Sequence, residues 1–525
     1  MAVDRPGPER PALHLLFASA GQGGDERVGR WSNPLSSAPA AVGGAAVVAA
    51  GREVSAGVGA AGAHAATATS DESSATHTTV RERRLADTDM TSANGSIGPF
   101  MRPVPATSWY ADVVGGVTTF VTMAYIVVVN PGILSTSGTG MPFSGVLTAT
   151  VAVACLMTLL MGLYARLPFA VAPGMGLNAF FAFTLVLQHQ IPWPTALGIV
   201  FWAGVLFLIV SVTPLRERVA LAIPPSLRAA AAGGIGLLLT FLGLRNAGIV
   251  VGDPATLVRM GVLDHRAAFL LVGLLVAAYL TQRKNPLAFL SAIGVVTAAA
   301  WTLGFETPPA GILSLPDLSS TMFRLDLWGA LRLSLLPSIV AILFTDLFDS
   351  LSTFIGVATA SGLTDEEGRP ITLRKGLIVD AIATASAGLL GSSPGTAYVE
   401  SIAGIRMGGR TGRASVVTAL CFVPCLFLGP LVAAAPAYAT AAVLVLVGVS
   451  MFQAVFSVDF TRLEDALPAF ITFVLIPLTL SITQGILWGF LLHAVIHAVV
   501  GRARDVSPTL WALAAVSGGL LVLGH

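Results

Sequence analysis

The sequence predicts an all-α polytopic membrane protein with fourteen transmembrane segments arranged as a 7+7 inverted repeat. Hydrophobic residues make up 54% of the 525 positions and charged residues only 11%, with a mean hydropathy of +0.80. Soluble domains carry about 25% charged residues. Apolar runs of roughly 20 residues, which can cross about 30 Å of hydrocarbon, recur from residue 113 to residue 500. The third run of each half is interrupted by Pro and Gly, which points to two related halves.

Residues 1–104 differ from the rest of the chain. They are rich in Ala, Gly, Ser, Thr and Pro, and hold no apolar run longer than "ALHLLFASA". Such a composition predicts a disordered tail. Its scattered acidic residues argue against a transit peptide, which is poor in acids. Whether translation starts at Met1 or at Met90 is left open.

Fourteen candidate spans follow from Trp109 onward, within a transporter domain predicted at 105–510. The third span, near 169–188, contains "APGMGLN", a poor helix former. The tenth span, near 394–408, is too short and too polar to cross the membrane alone. An apolar tail at 511–525 is expected to pack on the bundle or lie at the interface. The spans lie near 111–131, 144–165, 169–188, 195–213, 221–242, 267–282, 286–304, 333–358, 376–391, 394–408, 413–433, 438–456, 466–483 and 485–500.

Charge sets the expected orientation and limits the partners. With the N-terminus inside, Lys and Arg in the inside loops outnumber those in the outside loops by about three to one, which predicts two cytoplasmic termini and a plasma-membrane location. A net charge of +1 gives no reason to expect a nucleic-acid partner. The three cysteines all lie in apolar runs at no metal-ligand spacing, so neither a disulfide framework nor a metal or cofactor is expected.

Spans 3 and 10 predict a binding site near the bilayer midplane. The third span of the first half reads "AVAPGMGLNAFFAF", and its counterpart in the second half reads "LLGSSPGTAYVESIAGI". Broken helices leave backbone N–H and C=O groups without intrahelical partners, which lipid does not tolerate unless they are buried or line a cavity. Paired breaks at matching positions of two repeats therefore indicate a polar ligand site, although Pro and Gly also kink packed helices.

The stretch "VAILFTDLFDSLSTFIGV" in span 8 carries two acids, Asp346 and Asp349. Two carboxylates near the centre of a span cost on the order of 5–7 kcal/mol, so a role in binding or proton transfer is the default hypothesis. The two acids are three residues apart and share a helix face. Ser350, Thr353 and Val357 continue that face from Asp346, which predicts a stripe that lines a cavity.

Other polar residues cluster beside the two breaks. Asn178 follows the break in span 3, while Thr396 and Glu400 lie in and just after the break in span 10. Asn178 alone is more often a helix-capping residue than a ligand contact, and a pair of Glu400 with Arg406 is an alternative to a role in binding. Asp112 is expected at the interface, Asp380 in a structural pair with Ser or Thr, and three histidines at span ends are expected to be interfacial: His189, His493 and His497.

With these residues identified, the chain resembles the azaguanine-resistance type of adenine/guanine/hypoxanthine permease, within the nucleobase–ascorbate transporter superfamily. The resemblance covers about 109–510, and "GSSPGTAYVES" departs from the Ser/Thr/Val-rich stretch usual before Tyr-Val-Glu-Ser. The matching stretches are "TTFVTMAYIVVVNPGIL", "APGMGLNAFFAF", "AIPPSLRAAAAGGIGLLLTFLGLRNAGIVV", "LFTDLFDSLSTFIGVA", "TAYVESIAGIRMGGRTGRASVVTAL" and "AAPAYATAAVLVLVGV".

The resemblance implies a core domain of spans 1–4 and 8–11 and a gate domain of spans 5–7 and 12–14, with short strands from spans 3 and 10 crossing in the core. It implies proton-coupled import of purine nucleobases by alternating access, with Asn178, Asp346 and Glu400 at the substrate. Thr396 and Phe180 complete the expected binding set, although Phe181, Phe183, Phe344 or Phe348 would also cover a ring. Asp349, together with Asp346 and Glu400, is expected to couple the proton.

Between the two aspartates of span 8, Asp346 is expected to face the substrate and Asp349 to support the proton step. Transport of another nucleobase, such as xanthine or uracil, is a second hypothesis. An anion carrier on the same fold is a third, disfavoured because no Lys or Arg is expected deep in a span. A membrane enzyme is not expected, since no histidine pair at ligand spacing and no G-x-S-x-G is identified. A homodimer is left open.

Overall fold

The computed structural model describes residues 108–213, 223–361 and 372–523. The predicted tail at 1–104 lies outside the described residues. Every one of the fourteen predicted spans coincides with a helix, or with a strand and a helix, of the described chain. Eight of the described helices are long and apolar enough to cross a membrane by themselves. The prediction of a polytopic all-α protein with short strands in spans 3 and 10 is confirmed.

The first half of the protein contains spans 1 to 7, and the helix of span 1 has a capped N-terminus. The Ser108 hydroxyl accepts a hydrogen bond from the Ala111 N–H at 3.1 Å, as an N-cap residue does. Span 1 breaks at Ala124 and Tyr125, between its two helices, and the second helix contains Pro131, which cannot donate to the helix ladder. The spans are Trp109–Met123 with Ile126–Leu134 (span 1), Phe143–Leu160 with Met161–Ala165 (2), β1 Val171–Pro173 with Met175–Ala179 and Phe180–Gln188 (3), Trp193–Val212 (4), Pro225–Asn246 (5), His265–Gln282 (6) and Ala288–Thr302 (7).

The second seven spans repeat this order. Span 9 ends at Gly391, whose φ of +98° is a left-handed conformation that favours glycine and stops the helix just before the break in span 10. The spans are Leu336–Ser361 (8), Leu373–Leu390 (9), β4 Gly395–Ala397 with Ser401–Arg406 (10), Gly412–Phe422 with Val423–Phe427 (11), Ala437–Phe452 (12), Leu463–Thr479 (13) and Ile482–Val499 (14).

Strands β1 and β4 pair antiparallel, with Ala172 opposite Thr396. The polar groups of this short ribbon have partners. The Thr158 hydroxyl lies 2.9 Å from both the N–H and the carbonyl of Val171, and the Ser401 hydroxyl accepts from the Ala170 N–H at 3.0 Å. Non-helical backbone at membrane depth survives only where it is satisfied in this way. The pairing fixes the two broken spans against each other.

The helices pack in two groups. The first group consists of spans 5, 12, 13 and 14, with spans 6 and 7 packed against span 12. The second group consists of spans 1, 2, 10 and 11. Spans 4 and 9 pack on each other and join the second group through a contact between spans 9 and 2. Span 8 contacts both groups, since it touches spans 4, 9 and 10 on one side and span 14 on the other. The acid-bearing helix is thus the element that lies between them.

Two further elements complete the described chain. A β-hairpin between spans 5 and 6, β2 Val250–Asp253 with β3 Leu257–Met260, was not anticipated from the sequence. Its turn is held by the Asp253 carboxylate, which accepts hydrogen bonds from the N–H groups of Ala255 and Thr256. The apolar tail forms a helix at Pro508–Leu523 that packs on span 14, in agreement with the expectation of a packed helix.

Candidate functional site

A largely apolar cavity separates span 8 from spans 5, 12, 13 and 14. Its cavity volume is about 70 Å³. Its wall is Ile223, Leu227, Arg228, Ala231, Ala232, Ile235, Thr345, Phe348, Asp349, Ser352, Met451, Thr472, Ile486, Gly489 and Phe490. The cavity therefore lies where the two groups of helices meet.

Asp349 is the carboxylate on this wall. Phe348 lies next to it, and Phe490 of span 14 contributes a second ring to the wall. Phe344 links the two, since its ring centroid is 6.0 Å from that of each. The site thus combines one acidic acceptor with flat apolar surface, a combination that suits a planar ligand with N–H groups on its rim.

Arg228 provides a cation on the same wall. It lies in the first turn of span 5, and its buried Nε atom has no hydrogen-bond partner among the described residues. No Lys or Arg was expected deep in a span, and Arg228 lies near the start of its span, yet on the cavity wall. Arg228 had been counted with the inside loop, although span 5 was expected near 221–242; the helix begins at Pro225, which places Arg228 in its first turn.

Asp346 lies on a different face of span 8 from the cavity. It is fully buried, and one of its oxygens contacts the hydroxyl of Thr384 in span 9. The other oxygen, Oδ1, has no hydrogen-bond partner among the described residues. The Thr384 hydroxyl is also 3.0 Å from the carbonyl oxygen of Gly395 in β4. Asp346 therefore contacts span 9 and, through Thr384, the strand of span 10.

The predicted polar stripe faces the interior of the protein. Ser350 contacts Asp380 of span 9, and its hydroxyl lies 3.2 Å from the Thr396 hydroxyl. Asp380 therefore has the serine partner that was anticipated. The cavity is lined instead by the neighbouring stripe of span 8, which holds Thr345, Asp349 and Ser352. The expected division between the two acids does not match this arrangement, because Asp349 and not Asp346 is on the cavity wall.

Glu400 lies at the start of the helix of span 10 and is hydrogen-bonded to span 1. The Tyr125 hydroxyl donates to Glu400 Oε1 at 2.6 Å. This bond accounts for the carboxylate without the alternative pair to Arg406. Glu400 and Asp349 are close enough to interact electrostatically. The structure thus brings Asp349 near Glu400, and Asp346 near Thr396 through the Thr384 and Ser350 hydroxyls.

Asn178 and Phe180 lie within the broken span 3, and neither is on the cavity wall. Asn178 is fully buried, and its Oδ1 atom has no hydrogen-bond partner among the described residues. The helix it belongs to abuts the wall, because Gly176 packs directly on Ile235. Phe180 is part of the hydrophobic core. Among the phenylalanines considered from the sequence, Phe348 is the one at the cavity.

Several site residues were missed by the sequence reasoning. Arg228, Phe490 and Thr472 come from spans 5, 14 and 13, which carry no break and no acid at their centre. Tyr125 and Thr384 are polar partners of Glu400 and Asp346 from spans 1 and 9. The available signal was Arg228, a cation three residues after a Pro-Pro pair that fixes where the helix begins.

Comparison with known proteins identifies one family, and relatives named as adenine permeases or as guanine/hypoxanthine permeases. A family described as a permease family, Xan_ur_permease, matches residues 111–487. The chain is 41% identical over 399 residues to the adenine permease AdeP of Escherichia coli, covering 76% of this chain and 89% of that protein. It is 38% identical over 411 residues to the guanine/hypoxanthine permease PbuO of Bacillus subtilis, covering 77% and 94%.

Among solved structures, the transmembrane domain of a cyanobacterial bicarbonate transporter, BicA, has a similar fold. The TM-score is 0.55 at 19% identity, covering 74% of this chain and 99% of that domain. At this identity the likeness is one of fold alone. It agrees with the arrangement of fourteen spans in two halves of seven described above.

Proposed function

The chain belongs to the permease family Xan_ur_permease, within the nucleobase–ascorbate transporters, and we propose that it imports purine nucleobases together with protons. Relatives named as adenine and as guanine/hypoxanthine permeases support this substrate class. The observation that carries the proposal is the position of Asp349 on the wall of an apolar cavity, beside Phe348 and facing a gap between two groups of helices.

The cavity wall has the chemistry that a purine requires. The faces of the base are apolar, and Phe348 and Phe490 offer flat surfaces to them. A carboxylate such as Asp349 accepts from ring N–H groups or from an exocyclic amine. A guanidinium such as Arg228 donates to a carbonyl oxygen and ring nitrogen on the same edge of a 6-oxopurine. Asp349 and Arg228 would together pair with donors and acceptors on the rim of the base.

The proton is proposed to reside on Asp346. The Thr384 hydroxyl has one hydrogen, yet it contacts two acceptors, the Asp346 carboxylate and the Gly395 carbonyl. Both acceptors are satisfied when Asp346 carries a proton and donates it to Thr384, which in turn donates to Gly395. Loss of that proton would leave a buried charge and an unsatisfied strand carbonyl, and this links the protonation of Asp346 to the strand of span 10.

Transport is proposed to occur by movement of one group of helices against the other. Spans 1–4 and 8–11 would form the core, and spans 5–7 and 12–14 the gate, with both termini cytoplasmic in the plasma membrane. The cavity supports this division, because its wall combines span 8 with four spans of the gate group. Movement across this boundary would expose the cavity alternately to the two sides of the bilayer.

Two other substrates follow from specific features. Another nucleobase, such as xanthine or uracil, would also meet a carboxylate and aromatic rings. An anion is the second, favoured by Arg228 and its unpartnered Nε atom on the cavity wall. The acidic residue on the same wall opposes it, because Asp349 repels an anion unless it is protonated.

Uptake by cells tests the substrate directly. A host that lacks its own purine carriers would express the full chain and be given radiolabelled adenine, guanine, hypoxanthine, xanthine, uracil or bicarbonate. We expect saturable uptake of adenine, guanine or hypoxanthine, in competition with one another, and none of bicarbonate. The Asp349→Asn protein at equal membrane abundance is the matched control. Uptake of bicarbonate or uracil without any purine would overturn the proposal.

A further inference from the structure

A cluster of three side chains that could bind a metal ion lies between spans 13 and 14, outside the cavity wall. Asp465 lies in the first turn of span 13, and His493 and His497 lie in the last two turns of span 14. Asp465 Oδ1 is 3.9 Å from His493 Nδ1 and 4.0 Å from His497 Nε2. These three atoms all lie within 4.8 Å of one another. The transport proposal uses none of them.

The expectation from the sequence was different. His493 and His497 were interpreted as interfacial because they lie at a span end, and the structure buries both within the protein. The statement that no histidine pair stands at ligand spacing is wrong. The two residues are four apart on one helix and therefore on one face. Their rings are 4.0 Å apart between centroids, and the residues are only 4% and 7% exposed.

The hydrogen bonds of the cluster leave one ring nitrogen of each histidine near Asp465 without a hydrogen-bond partner in the described part of the chain. His497 Nδ1 is 2.9 Å from the His493 carbonyl oxygen, and since that oxygen only accepts, Nδ1 carries the hydrogen. His497 Nε2, the atom near Asp465, is then an unprotonated nitrogen in the neutral ring. His493 Nδ1 is buried and has no hydrogen-bond partner among the described residues. Buried polar atoms without partners are rare and call for a missing ligand.

We propose that Asp465, His493 and His497 bind a divalent transition-metal ion of the zinc type, with water completing the coordination. Two imidazole nitrogens and one carboxylate oxygen form a common zinc ligand set, and histidines four apart on a helix are a known way to supply two of them. Imidazole ligands select zinc, copper or nickel over calcium and magnesium, which prefer oxygen.

The geometry requires only a small adjustment. Tetrahedral coordination with bonds of 2.0–2.1 Å separates the ligand atoms by roughly 3.3 Å. The observed separations of 3.9 and 4.0 Å exceed that value by less than the movement that a side-chain torsion provides. Asp465 is half-buried and can approach the rings, because it lies at the end of its helix and not at its centre.

The site lies close to the cavity along both helices. His493 follows the cavity residue Phe490 by three positions, and Asp465 precedes the cavity residue Thr472 by seven. A bound ion would therefore link the two helices that form one wall of the substrate cavity. It would restrain them without contacting the substrate, which makes the site a point of control over the gate.

Zinc binding by the purified full chain tests the site without any measurement of transport. The protein would be stripped with EDTA and titrated with zinc chloride in competition with a chromogenic chelator. We expect one tight zinc per chain. Asp465→Asn and His497→Gln should each weaken it by about tenfold or more, since each removes a ligand. His265→Gln removes a histidine that stacks on Phe305 in another part of the chain and should leave affinity unchanged.

Cobalt substitution and thermal unfolding complete the test. Cobalt should show the intense visible absorption of four-coordinate geometry in the parent and lose it in both ligand variants. Zinc should raise the unfolding temperature of the parent and not that of Asp465→Asn, whose metal-free form should unfold like the parent. Equal zinc affinity in the parent and both ligand variants would overturn the proposal and assign binding to other histidines, such as those within residues 1–104. The absence of stoichiometric binding in the parent would overturn it as well.

Discussion

Asp346 and Asp349 differ by three positions and by what they contact. Their spacing predicted that both acids share the helix face that lines the cavity, and this is wrong, because only Asp349 lies on that face. The spacing does not indicate which part faces the cavity, because helical periodicity groups residues by face without identifying the neighbour that each face meets. Asp346 meets Thr384 of span 9, and Asp349 meets the cavity. The roles proposed here are therefore the reverse of the sequence-based expectation.

Asp349→Asn should weaken purine binding. The amide keeps the size of the side chain but replaces one acceptor with a donor and removes the charge. A hydrogen bond to a charged group contributes about 1.5–3 kcal/mol, so we expect a loss of roughly 10- to 100-fold in affinity. Calorimetry with adenine and hypoxanthine on the purified protein would measure it. Asp459→Asn, an exposed loop acid, is the control, and equal affinity in parent and Asp349→Asn would contradict a role at the substrate.

Asp346→Asn should preserve folding and binding while uncoupling transport from the proton. Its amide N–H can donate to Thr384, as a protonated Asp346 would, so the Gly395 carbonyl keeps its partner. The side chain can no longer release a proton. We expect purine exchange across membranes to continue, with accumulation against a gradient lost and the pH dependence flattened. Accumulation equal to that of the parent would show that the coupling proton resides elsewhere.

At the scale of elements, the spans followed from hydropathy and the breaks from Pro and Gly. The pairing of β1 with β4 depends on contacts between positions more than 200 residues apart, which no local pattern encodes. The hairpin between spans 5 and 6 was missed because it lies in a loop without alternating hydrophobicity. Span 5 begins at Pro225, the second residue of its Pro-Pro pair, and Arg228 in its first turn lies on the cavity wall.

Spans 5 and 12 cross closely enough to depend on glycine. A side chain at Gly448 would overlap the Gly236 carbonyl and the Thr240 hydroxyl. We expect Gly448→Leu to destabilise the protein by about 1–3 kcal/mol, the usual cost of overpacking. Gly294→Ala, where a methyl group meets nothing within 4 Å, is the matched control. Thermal unfolding of the two purified proteins would measure this, and similar midpoints would contradict the close crossing.

At the scale of the whole molecule, the sequence was enough to predict the fold, but it predicted only some of the residues of the site. Burial of apolar surface in lipid determines the spans, and the hydropathy of consecutive residues predicts them directly. The site arises where distant spans meet. The bond between Tyr125 and Glu400 joins residues 275 positions apart, and the cavity wall draws on five different spans. Acidic residues in apolar runs predicted the location of the site, but no sequence pattern predicted the residues that contact them.

The segment before the transporter domain should be dispensable for transport. Residues 1–104 have the composition of a chain without a packed core, and the family match begins at residue 111. A truncated protein that starts at Met90 should take up purines at the rate of the full chain when membrane abundance is equal. A large loss of uptake at equal abundance would show that the segment takes part in transport.

Transport by the purified protein in liposomes tests the central claim most directly. The full chain would be reconstituted, a pH gradient imposed with the acidic side outside, and the uptake of radiolabelled adenine, guanine and hypoxanthine followed with and without an uncoupler. We predict accumulation of at least one of these purines above its outside concentration, abolished by the uncoupler and absent in empty liposomes. Equilibration without accumulation, whatever the gradient, would contradict proton coupling, and no purine uptake at all would contradict the proposed function.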